Sequence, residues 1–206
     1  QVIDAAGMRR IVDAARKIGA VVLSDECYAL MAWNDANDAP ENREASIESS
    51  PCALRADVCG GDAYGVLVLY SLSKQSNMAG YRTACIAGDH TLVRAMTELR
   101  KQIGLIVPGP VQAAMAAGLR DMAAVREQHN RYYSRLSTLV EALRAYGYDA
   151  HMPQGALYIW VRTLGDDCWQ DMGRLADLGI VPSPGEFYGA PQYLRFSATA
   201  SDAQIT

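Results

Sequence analysis

Apolar and polar positions divide the chain into alternating helices and short strands. Residues 4–18 set Ala5, Met8, Ile11, Val12, Ala15 and Ile18 at helical spacing, and Gly19 supplies a stop. Val21-Val-Leu-Ser24 then reads as a buried strand ending at Asp25-Glu-Cys-Tyr28. From Trp33 to Gly65 the periodicity weakens. Asn34–Arg43 forms a polar loop, Cys59–Gly65 a turn cluster, and a short helix is expected between them, around Ala45 to Cys52. Val66–Tyr70 is a second buried strand, which places Lys74 where the strand gives way to a polar loop.

Thr83–Ala87 is a candidate strand ended by Gly88. Asp89 can cap a helix with Leu92, Val93, Met96, Leu99 and Ile103 on one side, closed by Gly104. Pro110 suits the first turn of the next helix, over residues 111–119, where Ala113, Ala114, Ala116, Ala117 and Gly118 permit close packing on a neighbour. A long helix from Ala123 to Tyr146 ends at Gly147. A strand at Ala156–Val161, a helix over 167–178 stopped by Gly179, the turn Pro182–Gly185 and a last strand at Tyr193–Ser197 complete the pattern. Helix and buried strand alternate first, giving an α/β domain with a mostly parallel sheet over residues 1–122; a small α+β domain follows over 123–206. Only three strands fall in the first domain, so one buried-type edge is expected to stand open.

Composition narrows the function. At 206 residues, half hydrophobic and a fifth charged, the chain can bury a substantial core. A net charge of −4 without a basic cluster argues against nucleic acid, and no apolar run approaches a membrane span. The five cysteines are scattered and the three histidines isolated, which points to reduced thiols in a cytoplasm and away from metal. The start lacks an apolar signal-peptide region and an initiator Met, so the chain is expected to be part of a longer protein.

The densest chemistry lies in Ser71-Leu-Ser-Lys74-Gln-Ser-Asn-Met-Ala-Gly-Tyr-Arg82. In open α/β sheets, ligands bind outside the carboxyl ends of the strands. Two hydroxyls, Ser71 and Ser73, and the Arg82 guanidinium suit a phosphate, while the Lys74 amine can condense with a carbonyl. Pyridoxal phosphate carries both groups. Ser-x-Ser-Lys alone would read as a surface loop. Asp25 also ends a strand, where a buried carboxylate needs a partner; a single Asp in that place is more commonly a cap or turn residue. Arg195 lies between Leu194 and Phe196 and is either a solvated edge-strand charge or a ligand group.

Taken together, Ser71, Lys74, Asn77, Gly80 and Arg82 resemble the lysine segment of the fold-type I pyridoxal-phosphate enzymes, the class I/II aminotransferases. Asp25-x-x-Tyr28, Gly155-Ala-Leu-Tyr-Ile-Trp-Val161 and Pro184-Gly-Glu-Phe-Tyr-Gly189 fit the same family. The resemblance implies that Lys74 carries the cofactor as a Schiff base and that Ser71 and Arg82 hold its phosphate, with Ser73 either a further phosphate contact or a cap of the loop. It also implies that Asp25 pairs with the ring nitrogen, that Tyr28 contacts the ring oxygen, and that Arg195 grips the substrate α-carboxylate. Residues 1–122 would be the second half of the cofactor-binding domain, in a homodimer acting on amino and keto acids. Within the family, the Ser71–Arg82 segment, Val107–Met115 and Asp57–Gly61 are most similar to actinobacterial N-succinyldiaminopimelate aminotransferases, whereas Met152-Pro-Gln-Gly155 departs from the expected pattern. A C–S lyase on the same fold and a non-catalytic sensing domain of a regulator are the alternatives.

Overall fold

The computed structural model describes residues 2–33 and 50–205. The polar loop at Asn34–Arg43 and most of the helix expected around Ala45 to Cys52 lie outside the described residues; residues 50–52 are irregular. Contacts divide the described residues into two units, one of residues 2–32 and 50–129, the other of Trp33 and residues 130–205.

In the first unit, α1 (Ala5–Lys17) is capped by Asp4, whose carboxylate accepts from Gly7 N. Strands β1 (Val22–Asp25), β2 (Val66–Ser71) and β3 (Ala84–Gly88) form one sheet with β2 in the centre. β1 runs parallel to β2, with Asp25 opposite Leu69; β3 runs antiparallel, with Ser71 opposite Ala84. Val66 and Val68 pack on Val12 of α1 and on Ala53 and Val58, the last from α2 (Ala56–Cys59). Arg16 holds the turn after α2 by donating to the carbonyls of Cys59 at 2.9 Å and Tyr64 at 3.1 Å. Gly88 is required where β3 meets β2: a Cβ there would stand 2.1 Å from the Val66 carbonyl oxygen.

β1 departs from the sequence expectation. It is an edge strand, not a buried one, with Leu23 63% exposed. Its residues alternate between partly buried and exposed because helices cover one face while the edge has no further described strand beside it. Helix α4 (His90–Ile103) departs from the expectation as well. Its caps, Asp89 and Gly104, are as expected, yet none of its apolar residues is buried and Leu99 is 58% exposed. After it comes α5 (Gly109–Gly118), with Pro110 in the first turn, and then the long α6 (Met122–Tyr146).

The second unit is built on an antiparallel sheet, β4 (Tyr158–Arg162), β6 (Tyr193–Ser197) and β5 (Ser183–Pro184), in that spatial order. Tyr132, Leu136, Val140 and Leu143 of α6, Leu157, Ile159, Val161, Leu194 and Phe196 are buried here. β4 begins at Tyr158 rather than at Ala156, which sits at φ 61, outside extended geometry. Helix α7 (Cys168–Ala176) is capped by Asp167, and its buried Asp171 accepts from Tyr148 Oη at 2.9 Å and Leu164 N at 2.7 Å. A short α8 (Asp202–Ile205) follows β6. None of the described helices is long and apolar enough to cross a membrane.

Candidate functional site

The parallel pairing of β1 with β2 brings Asp25, Ser71 and the segment after Ser71 to one end of the sheet. Lys74 does not stand in a loop. Ser71 caps a single turn, α3 (Leu72–Gln75), by accepting from Ser73 N at 3.1 Å. A hydroxyl at an N-cap is a strong local signal, and four residues are too few for periodicity to reveal the turn. Ser71 Oγ also lies 2.7 Å from Ser73 Oγ and donates to the Thr83 carbonyl at 3.3 Å. Both hydroxyls therefore converge at the head of the turn that carries Lys74.

The Lys74 ammonium is half-buried and lies 5.8 Å from the Tyr28 ring centroid. Among the described residues no acceptor lies within hydrogen-bond distance of its Nζ, so the amine is available to react. Arg82 is exposed, donates to the Ala79 carbonyl at 3.0 Å, and holds φ 51 in the left-handed region. That conformation is strained for arginine, and such strain concentrates at ligand sites. The set of two hydroxyls, a guanidinium and an unbonded amine fits a phosphorylated carbonyl compound.

Asp25 is exposed, not buried as its strand position suggested; its carboxylate accepts from Cys27 N at 3.1 Å. Burial, then the hydrogen bond and charge of Asp25, push the Cys27 thiol up to about 11. Lys74 acts in the opposite direction, so the ammonium and the Asp25 carboxylate both lie within electrostatic reach of that thiol. The buried carboxylate here is Glu26, which sequence reasoning passed over. It is 5% exposed and accepts from Ala53 N at 2.7 Å and Ser24 Oγ at 2.9 Å. Strand alternation carried the signal, since Val22, Ser24 and Glu26 share the helix-covered face.

Two more supports went unread. The Tyr70 hydroxyl donates to the buried Gln75, and burial followed by nearby Cys85 pushes Tyr70 up to about 12. Helix α5 braces α3: a Cβ on Gly118 would meet Leu72 Cδ1 at 2.9 Å, while Met115 Sδ lies 3.1 Å from Thr83 Oγ1.

Arg195 occupies the other unit. It lies in the central strand, opposite Trp160 and Ser183, so it is no edge-strand charge. Its Nε is buried without a hydrogen-bond partner, and its guanidinium carbon sits over the Tyr158 and Tyr188 rings. A buried donor left unpaired is costly, so the guanidinium is held here by the two rings and not by an acceptor at Nε.

The profile of the family "Aminotransferase class I and II" matches residues 1–206. The chain is 42% identical over 200 residues to a 4-dedimethylamino-4-oxo-anhydrotetracycline transaminase of Streptomyces rimosus, covering 96% of this chain and 52% of that protein. It is 30% identical over 201 residues to an LL-diaminopimelate aminotransferase of Oleidesulfovibrio alaskensis, covering 95% of this chain and 48% of that protein. An aminotransferase structure from Neisseria meningitidis superposes with a TM-score of 0.83 at 25% identity, over 100% of this chain and 51% of the other. The chain thus spans about half the length of these relatives. It belongs to the class I and II aminotransferase family, which works with pyridoxal 5'-phosphate and has the fold-type I architecture.

Proposed function

We propose that the full-length protein is an aminotransferase moving an amino group from glutamate to N-succinyl-2-amino-6-ketopimelate. Residues 1–122 are the second half of the cofactor-binding domain and 123–206 the small domain. The protein works as a homodimer in the cytoplasm. The observation that carries the activity is the half-buried, unbonded Lys74 amine on a turn headed by Ser71 and Ser73. The diaminopimelate relative supports the acceptor class.

Pyridoxal phosphate, when bound, supplies an electron sink for the substrate Cα. The residues do the rest. Ser71, Ser73 and Arg82 bind the phosphate and fix the ring's position. Asp25 would offer its carboxylate to the ring nitrogen. Tyr28, whose ring lies 5.8 Å from Lys74 Nζ, would contact the ring oxygen. Lys74 Nζ would take the proton from the substrate Cα as general base and hold it on the amine. Arg195 holds the α-carboxylate by a forked pair of hydrogen bonds.

The test is a keto-acid panel with full-length protein, glutamate and pyridoxal phosphate. Glutamate-dependent amination of the succinylated acceptor above other keto acids supports the assignment. Transamination confined to another acceptor overturns the substrate. Pyruvate release from sulfur amino acids without transamination overturns the reaction.

A further inference from the structure

We propose that Tyr158 and Tyr188 position the Arg195 guanidinium, serving in place of an acidic counter-ion. This rests on Arg195 being the substrate-carboxylate group. The guanidinium carbon lies 4.4 Å over the Tyr158 ring and 4.7 Å over the Tyr188 ring. Among the described residues no carboxylate lies within ion-pair distance of Arg195, and its buried Nε has no hydrogen-bond partner. An arginine inside a sheet is ordinarily matched by Asp or Glu, which would occupy its N–H fork. Ring faces attract the cation through their quadrupole without accepting its in-plane hydrogens. The side chain is thereby held without a protein acceptor among the described residues occupying its N–H groups.

The rings are themselves held. Tyr188 Oη lies 3.0 Å from Ser183 Oγ, and Ser183 is the β5 partner of Arg195. Trp160, the β4 partner, meets Tyr188 edge-on at 5.8 Å and stacks on Tyr193 at 5.3 Å. The cation and the anchor of one ring therefore come from a single strand pair. Tyr158 and Tyr188 are positioning residues and are not assigned contact with substrate.

The test uses the full-length cofactor-loaded enzyme with Tyr188→Leu, Tyr188→Phe, Tyr158→Leu and Arg195→Ala. Steady-state KM and kcat are measured for glutamate, and Kd for succinate, a non-reacting dicarboxylate, is read from the cofactor spectrum. Tyr188 is 48% exposed, so its loss leaves the core intact. Tyr188→Leu is expected to raise KM and the succinate Kd about tenfold with kcat within about twofold. Tyr188→Phe, which keeps the ring, stays within about threefold of wild type. Wild-type KM and Kd in both leucine variants, alongside a large loss in Arg195→Ala, would overturn the positioning role alone. A wild-type succinate Kd in Arg195→Ala overturns the carboxylate assignment beneath it.

Discussion

Gly118 packs so closely on Leu72 that a Cβ at position 118 would lie 2.9 Å from Leu72 Cδ1 and 3.2 Å from Met78 Sδ. Leu72 is fully buried and opens the turn that presents Lys74. The small-residue side of α5 thus sets the height of the reactive lysine, two residues along from the contact.

Gly118→Val should therefore disturb both fold and site. Overpacking a full site is expected to cost roughly 1–3 kcal/mol. Because Leu72 cannot retreat without moving α3, cofactor affinity in the full-length protein should fall as well. Urea unfolding and a pyridoxal-phosphate titration check this. Gly118→Val with unaltered stability would show that the helices do not meet as described.

Adjacent carboxylates on β1 should separate into a structural and a functional one. Glu26→Met removes the oxygen that accepts from both Ala53 N and Ser24 Oγ, leaves those donors without their acceptor, and should destabilise by about 1–3 kcal/mol. Asp25→Asn, at an exposed position, should alter stability by less than about 0.5 kcal/mol. Turnover in the full-length protein should show the reverse order, with Asp25→Asn losing far more activity. Thermal unfolding beside single-turnover rates checks both halves.

Alkaline pH should weaken the fold through its thiols. Cys27 and Cys52 are pushed from 9.0 up to about 11, chiefly by burial and then by the neighbouring carboxylates Asp25 and Glu26. The unfolded chain releases these protons near pH 9 while the folded chain keeps them. The associated stability is full below pH 9 and is lost as pH rises toward about 11. Urea midpoints between pH 8 and 11 should fall over that window, and less steeply in Cys27→Ala/Cys52→Ala. The same thiols should react slowly with disulfide reagents at neutral pH.

How much of this was legible depended on whether a signal was local. Asp89 and Gly104 mark the ends of α4 because capping is decided within a turn. Tyr193–Ser197 is legible as a strand through its alternation. An open edge was expected from the three strands of the first domain, but that it falls on β1 and exposes Leu23 and Asp25 was not, because an edge position depends on which strands lie alongside. Arg195's central place was hidden for a related reason: its second neighbour, β5, is two residues inside a proline-rich turn. Ser71, Ser73, Lys74 and Arg82 were found through their spacing, yet the turn that orders them came only with the fold. Their roles in binding the cofactor remain the proposal made above.

Lys74 is where that proposal meets its most direct measurement. Full-length protein is loaded with pyridoxal phosphate, reduced with sodium borohydride, digested and mapped by mass spectrometry. A phosphopyridoxyl mass confined to the peptide carrying Lys74, and absent from Lys74→Ala, is the expected result. A protein that transaminates while its modified lysine is Lys17 or Lys101, or that carries no modified lysine at all, would contradict the account.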